Sequence, residues 1–342
     1  MPELLVGITQ LNALHNDFEP APDVDTTFRM VKEAGVFDYL DKTPPDEDVP
    51  AYLKASEKYG LPVLAGGWFY AIGKDEALIE KNLRLAEALG SRVHNVQVLT
   101  NHADGHPIGD QEVADWYLRA RDIGLKLGVE PCFEVHVNMW SEDFRRVERV
   151  ATLVEARGQP FRMTLDHSHV IFKIDNPAEQ EVSDIRRDVE AGRLVLDPRK
   201  PGAVTDRWID AGYVRHAHAR AAVPNNPKND FYHYENGRPG RGIQYPFVRP
   251  KAGEWLDAWD GALLEPWKEV VRRLFRYHAT NPASPLGQIS TEFISRPDYG
   301  AGCRYSMFEQ GMACARWLRG QWRDTLASVA TELTAANDGA KT

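Results

Sequence analysis

Two short stretches of the chain place acids and histidines at the ends of apolar runs. The first, PCFEVHVNMW, carries Glu134 and His136 two residues apart, and the second, RMTLDHSHV, carries Asp166 and His169. A solvated loop requires no such grouping. A metal site does, because carboxylate oxygens and imidazole nitrogens are common ligands of divalent cations. The spacing therefore raises the hypothesis of a metal centre.

The same residue types recur further along the chain. The segment YVRHAHAR carries His216, His218 and Arg220 at alternate positions, and the segment ISTEF carries Glu292. Residues two apart in a β-strand project to the same face of the sheet. We therefore expect the alternate residues of each segment to point the same way.

Strand and helix candidates alternate from one end of the chain to the other. Short apolar segments are followed by long amphipathic ones, several of which end in glycine, a common helix terminator. Eight such pairs predict an α/β fold, a parallel sheet closed into a (β/α)8 TIM barrel. A Rossmann-like open sheet is the alternative, but GITQLNALHND lacks the glycine-rich turn that it requires. The strand candidates are 4–10, 36–41, 61–70, 92–100, 130–136, 161–167, 213–219 and 287–293.

No linker or composition shift divides the chain, so we expect one barrel domain over residues 1–342. The one large irregularity is 220–286, an insertion between strands seven and eight with a helix predicted around 265–278. On the catalytic face, this insertion is expected either to wall a cleft for a bulky glycoside or to form a subunit interface. Its aromatic residues include Phe231, Tyr232, Tyr234, Tyr245, Phe247, Trp255, Trp259 and Trp267.

Composition excludes several classes of protein. The net charge is −9 and the basic residues are scattered among acids, which argues against a nucleic-acid groove. No apolar run is long enough to span a bilayer, and the N-terminus lacks the regions of a signal peptide. Cys132, Cys303 and Cys314 are an odd number of cysteines, which indicates reduced thiols. We expect a cytoplasmic protein without membrane or nucleic-acid partners.

The ends of the later strands supply the candidate ligands, because chemistry in a (β/α)8 barrel lies at the carboxyl ends of the strands. Glu134, Asp166 and Glu292 would meet there with His216 and His218. Three uncompensated carboxylates cost several kcal/mol in repulsion and desolvation, which a bound cation offsets. We predict one divalent metal ion, Mn²⁺ first, with Co²⁺ and Mg²⁺ as alternatives. His216 is the weaker ligand candidate and is expected to orient a ligand instead.

Other residues at the same end of the barrel are candidate substrate contacts. His102 and His106, in TNHADGHP, follow strand four, and Arg220 continues the face of strand seven. Trp68, in strand three, is either a platform on which a sugar stacks or a core aromatic residue. Both interpretations of Trp68 remain open.

This pattern resembles the xylose-isomerase-like TIM-barrel superfamily, which contains sugar isomerases and epimerases, over nearly the whole chain. The resemblance rests on Glu134, on Asp166 and His169 in DHSH, on His218 in RHAH, and on Glu292. It implies that Glu134, Asp166, His218 and Glu292 bind the metal ion and that His169 contacts the substrate. It also implies association into a homo-oligomer.

The chain departs from the epimerases at strand five. They usually continue with Asn-Arg and carry a second glutamate six residues on, where this chain has Trp140. The Glu-x-His spacing of Glu134 and His136, together with the length, resembles another branch. That branch contains the catalytic subunits of C-glycoside deglycosidases and enzymes that eliminate from 3-oxo-sugars. It implies that a small second subunit could be required.

The resemblance implies a shared chemistry in which the metal polarises a sugar carbonyl and a base removes the adjacent proton. His136 is the candidate base, since imidazole titrates near neutral pH, and the epimerase analogy offers Glu134 and Glu292 instead. We predict β-elimination, the deglycosylation of a 3-oxo-glycoside, ahead of ketose isomerisation or 3-epimerisation. Two further functions are alternatives. Superfamily members that cleave DNA at abasic sites need a basic face, which a chain of net charge −9 fits poorly. A non-enzymatic binding barrel would be favoured if the purified protein held no metal.

Overall fold

Eight parallel strands close into a barrel in the computed structural model, which describes residues 2–225 and 228–339. Each strand pairs with its sequence neighbours, and the first pairs with the last through Leu5 opposite Gln288 and Ile8 opposite Thr291. The predicted (β/α)8 fold is confirmed. The strands are β1 (Leu5–Thr9), β2 (Tyr39–Asp41), β3 (Val63–Tyr70), β4 (Val93–Val98), β5 (Glu130–Glu134), β6 (Met163–Asp166), β7 (Val214–Ala219) and β8 (Gln288–Thr291).

Helices surround the barrel and bury their apolar faces against it. Gly35 and Gly60 end the first two with φ angles of 65° and 58°, the left-handed conformation that glycine adopts without strain. Four helices, most of them short, connect β6 to β7. The helices are α1 (Val24–Ala34), α2 (Val49–Tyr59), α3 (Glu76–Leu89), α4 (Asp110–Lys126), α5 (Phe144–Glu155), α6 (Ser168–Ile171), α7 (Pro177–Val182), α8 (Arg186–Glu190), α9 (Val204–Asp210), α10 (Glu265–Thr280) and α11 (Met307–Gly339).

Two apolar clusters form the core. The large one lies between strands and helices, where outward-facing strand residues meet the helix faces. The small one consists of Tyr39, Ala65, Val93 and Cys132, from four neighbouring strands. The Tyr39 hydroxyl hydrogen-bonds across to Ser290 of β8 at 2.8 Å, so this cluster lies on the inner face of the barrel. Inward-facing residues nearer the carboxyl ends are polar, and they form the floor of the candidate site.

The insertion between β7 and β8 packs onto the chain that follows β8. It contains an antiparallel strand pair (Asn229–His233 with Pro239–Gly240) and helix α10. The side chain of Asn229 donates hydrogen bonds to the carbonyls of Tyr299 and Ala301, at 3.0 and 2.9 Å. Of its aromatic residues, Tyr245, Phe247 and Trp267 are buried in the core, whereas Phe231 and Tyr232 are exposed.

A buried ion network fixes the insertion to the barrel. Lys173 and Arg241 both contact Glu142 Oε1, at 3.0 and 2.6 Å, and Arg241 also pairs with Glu179. Burial acts to raise the pKa of Glu142, but the positive charges of Lys173 and Arg241 outweigh it and lower the pKa to about 2. The network therefore holds three chain segments together through charges that have little access to water.

Two sequence expectations concern the whole chain. None of the described helices is both long and apolar enough to cross a membrane. All three cysteines are buried and unpaired, as expected of reduced thiols.

The substitution Glu142→Gln should lower the free energy of unfolding by about 3 kcal/mol, measured by urea denaturation at pH 7. Removing one partner of a buried ion network leaves the remaining charges insufficiently paired. The matched control is Glu33→Gln, which removes an exposed carboxylate paired with Arg29 and should cost less than about 1 kcal/mol.

The difference in the free energy of unfolding between wild type and Glu142→Gln should depend on pH. A carboxylate with a depressed pKa stabilises the fold above its unfolded pKa, and that contribution is lost as pH falls through the folded pKa. The gap between wild type and Glu142→Gln should therefore shrink between pH 4.5 and about 2. Equal free energies of unfolding for wild type and Glu142→Gln at pH 7 would contradict a stabilising network.

Candidate metal centre and active site

Four side chains from four consecutive strands meet at the carboxyl end of the barrel. Glu134 ends β5, Asp166 ends β6, His218 lies in β7 and Glu292 directly follows β8. One potential ligand atom from each lies within 4.8 Å of the others. Parallel strands bring their carboxyl ends to one edge, which is why residues so distant in sequence converge.

Hydrogen bonds fix the orientation of Glu134. The side-chain amides of Asn95 and Gln97 in β4 both donate to Glu134 Oε2, at 2.7 and 2.5 Å. The other oxygen, Oε1, faces His218 Nδ1 at 2.8 Å. Gly67 of β3 makes room for this arrangement, since a Cβ there would lie 2.8 Å from the Asn95 Cβ. Glu134 is thus held with one oxygen directed at the cluster.

Arg220 bridges the two remaining carboxylates. Its guanidinium donates to Asp166 Oδ2 at 2.5 Å and to Glu292 Oε2 at 2.6 Å, and it stacks on Tyr299 at 4.3 Å. Burial acts to raise the pKa of Asp166, but the charge of Arg220 outweighs it and holds the pKa well below its usual range. Asp166 is therefore an anion, and Arg220 lies among the carboxylates. Its predicted contact with substrate stays a prediction.

The carboxylates create a strong negative potential at His218. Its Nδ1 lies 2.8 Å from Glu134 and 3.1 Å from Glu292. Burial acts to lower the pKa of His218, but these two carboxylates outweigh it and raise the pKa well above its usual range. Three carboxylates and one imidazole around a point that attracts positive charge fit a hard divalent cation.

A second group of side chains supports the cluster from below. Asp41, at the end of β2, lies 3.4 Å from His218 Nε2 and accepts a hydrogen bond from Ser290 at 2.7 Å. His216 Nε2 lies 3.1 Å from the same Ser290 hydroxyl. Burial and the neighbouring His218 lower the pKa of His216 to about 3, so His216 is neutral. A carboxylate behind a ligand imidazole orients it, and this is the position that Asp41 takes.

A cavity of about 400 Å³ opens beside the cluster. His218 and Glu292 lie in its wall, and Trp68 stacks on Phe69 at its rim with centroids 5.1 Å apart. Trp68 is 39% exposed and is therefore not a core residue. Its predicted role as a platform for a sugar remains a prediction. The other lining residues are Thr9, Gln10, Leu11, Asp41, Lys42, Thr43, Gly67, Asn95, Gln97 and Arg296.

His136 lies just beyond the strand that carries Glu134. That the two side chains share one face stays a prediction. Strand β5 ends at Glu134, and the His136 backbone N–H donates to Ser141 Oγ instead of continuing the ladder. Its Nδ1 donates to the Val137 carbonyl at 2.6 Å, which leaves Nε2 facing the Tyr299 hydroxyl at 3.2 Å. Burial and then the neighbouring His169 lower its pKa to about 4. His136 is neutral, and it is not among the residues that line the cavity.

The remaining predicted contacts lie away from the cavity wall. His169 is buried beside the cluster, with Nε2 3.2 Å from Asp166 Oδ2 and its ring 4.3 Å from that of His136. His102 stacks on His106 in the loop after β4, with centroids 4.6 Å apart, and lies 3.0 Å from Asp104. Their predicted contacts with substrate stay predictions.

Sequence reasoning missed the groups contributed by the first four strands. Asn95 and Gln97 alternate in the otherwise apolar VHNVQV, and Asp41 ends a strand as Asp166 does. Those two signals were readable. Lys42 and Arg296 follow β2 and β8 in irregular loops, where no periodic pattern indicates the direction of a side chain.

Comparison with known proteins supports the fold. No protein-family model matches the sequence, and no curated protein is similar to it. Similar solved structures include the D-allulose 3-epimerase of a Methylomonas species in complex with D-allulose (TM-score 0.54, 13% identity, covering 94% of this chain and 98% of that one). Another is the probable 3-DHS dehydratase AsbF of Bacillus anthracis (TM-score 0.54, 12% identity, covering 93% of this chain and 99% of that one). A third is a xylose isomerase-like TIM barrel protein of Mycobacterium smegmatis in complex with magnesium (TM-score 0.53, 11% identity, covering 94% of this chain and 97% of that one). The predicted resemblance is confirmed at the level of fold.

Glu134→Gln should weaken metal binding by more than about a hundredfold, because it removes an anionic ligand and not merely a residue that orients one. The measurement is Mn²⁺ titration by calorimetry, with metal content by mass spectrometry. Glu130→Gln is the matched control: it lies on the same strand but pairs with Arg121 and Arg215. A Glu134→Gln protein with normal metal affinity would overturn the ligand assignment.

Proposed function

We propose that the protein is a divalent-metal-dependent carbohydrate enzyme that removes a proton next to a sugar carbonyl. The observation that carries this proposal is the cluster of Glu134, Asp166, His218 and Glu292 beside a cavity at the carboxyl mouth of the barrel, with His218 and Glu292 in the cavity wall. The cavity volume, about 400 Å³, is within the range of small-molecule sites.

The four residues of the cluster would hold the cation, which when bound would polarise the carbonyl and acidify the adjacent C–H bond. The side chains of Glu134 and Asp166 are fully buried, and neither lines the cavity. Glu292 differs, because its side chain is 14% exposed and lines the cavity. We therefore assign the proton acceptor to Glu292, whose Oε2 is held by Arg220.

Isomerisation or epimerisation of a ketose is the outcome best supported by the cavity. The prediction from the sequence places elimination first because of His136 and an expected cleft walled by aromatic residues. His136 lies outside the cavity wall, and no aromatic residue of the described part of the insertion lines it. A similar solved structure is a D-allulose 3-epimerase, which fits this order.

β-Elimination from a 3-oxo-glycoside is the second candidate. The hydrogen-bonded pair of His136 and Tyr299, next to Arg220, favours it, since such a pair can deliver a proton to a leaving group. The fold is shared by a probable dehydratase.

Proton NMR in D₂O, with Mn²⁺-loaded protein, a ketohexose and a 3-oxo-glycoside, tests the proposal. We expect deuterium at the carbon next to the carbonyl and the appearance of a new sugar. Release of the aglycone with an enone product would instead establish elimination. No deuterium in either compound, with full metal occupancy, would refute proton abstraction.

His136→Ala separates the two outcomes. Because Glu292 is the assigned base, this variant should bind metal normally and still exchange the proton, while any release of aglycone falls by about a hundredfold or more. His15→Ala, which removes an exposed imidazole that contacts Ser306, is the control. Loss of exchange at normal metal content would assign the base to His136.

A further inference from the structure

We infer that the substrate carries an acidic group, a carboxylate or a phosphate, that binds between Lys42 and Arg296. This inference rests on the proposed function, since it concerns the same cavity. Both residues lie in the wall that also contains the ligands His218 and Glu292. Lys42 directly follows β2 and Arg296 lies in the loop after β8, on either side of β1 in the barrel.

Neither cation forms a direct side-chain contact with a carboxylate of the described chain. The side chains of Lys42 and Arg296 form no hydrogen bond and no ion pair with any residue that the structure describes. Neighbouring cations differ: Lys81, in an adjoining cavity, pairs with Asp46 at 2.7 Å, and Arg220 bridges two carboxylates. The two cations of this cavity are therefore available to a bound anion, unlike Lys81 and Arg220.

Bringing the two cations together costs free energy. Lys42 is partly buried, and burial, followed by the charge of Arg296, lowers its pKa in spite of the opposing attraction of Asp48 and Asp41. Like charges that share a cavity repel, and a bound anion between them converts that repulsion into attraction. The two cations therefore favour binding of a negatively charged group in this cavity.

The other charges of the site do not satisfy these cations. Arg220 pairs with two of the three carboxylates of the cluster, and a bound divalent cation would balance the remaining charge. Asp41 is buried and faces Ser290 and His218. A neutral sugar would leave Lys42 and Arg296 unpaired, whereas a sugar acid or sugar phosphate would give both a partner while the sugar lies against Trp68.

Calorimetric titration with matched polyols tests the inference. The probes are D-glucitol, D-gluconate and D-glucitol 6-phosphate, each added to metal-loaded and to EDTA-treated protein. We expect at least one anionic probe to bind about tenfold or more tightly than glucitol. The preference should persist without metal, which separates the cations from direct binding of the anion to the metal. The stronger of the two anions identifies carboxylate or phosphate.

Two substitutions assign the preference to residues. Lys42→Met and Arg296→Met should each reduce it about tenfold, and Lys42→Arg should retain it. Lys81→Met is the matched control, since it removes the same charge from the adjoining cavity, and it should leave the preference unchanged. Circular dichroism verifies that each variant is folded.

Equal affinity for neutral and anionic probes, no detectable binding of either anion, or a preference that survives the double substitution of Lys42 and Arg296 would each overturn the inference. Its failure is distinct from failure of the proposed function. A metal-loaded protein that exchanges the proton of a neutral ketose without preferring anions refutes only the acidic substrate. Anion preference without metal binding or exchange refutes only the enzyme assignment.

Discussion

The repulsion between carboxylates that meet in a buried barrel mouth is the constraint on which the site depends. Glu134, Asp166 and Glu292 are brought together by strand closure, not by any attraction between them. Arg220 offsets part of the cost by bridging two of them, and the pKa of His218 is raised because the remaining negative charge attracts a cation. A divalent ion would complete the balance, so binding of the ion and organisation of the site are one event.

The barrel supplies the rigidity that this balance needs. Asn95 and Gln97 fix Glu134 from β4, while Asp41 of β2, which Ser290 of β8 holds by a hydrogen bond, faces the imidazole of His218. Each of these groups is an inward-facing strand residue, and its position follows from the alternation of side chains along a strand. The insertion after β7 adds a cover on the side of β8 through its contacts with the segment 297–301.

The parts of the fold and of the site that the sequence predicts are those that follow a periodic pattern. The eight strand candidates and the cluster residues could be recognised because apolar runs end at a fixed edge of a parallel barrel. The same rule does not extend to His136, because β5 ends two residues earlier and the chain turns towards Asn138, whose φ is 63°. Lys42 and Arg296 lie in loops, where contacts far apart in sequence determine the direction of side chains. Such contacts have no local signature.

The most direct test of the central claim is an anomalous difference map from crystals soaked in MnCl₂. The account predicts one strong peak coordinated by the carboxylates of Glu134, Asp166 and Glu292 and by Nδ1 of His218. A map with no peak at this cluster would contradict it. So would a peak bound instead by Asp41 and His216, or by the surface group of His102, Asp104 and His106.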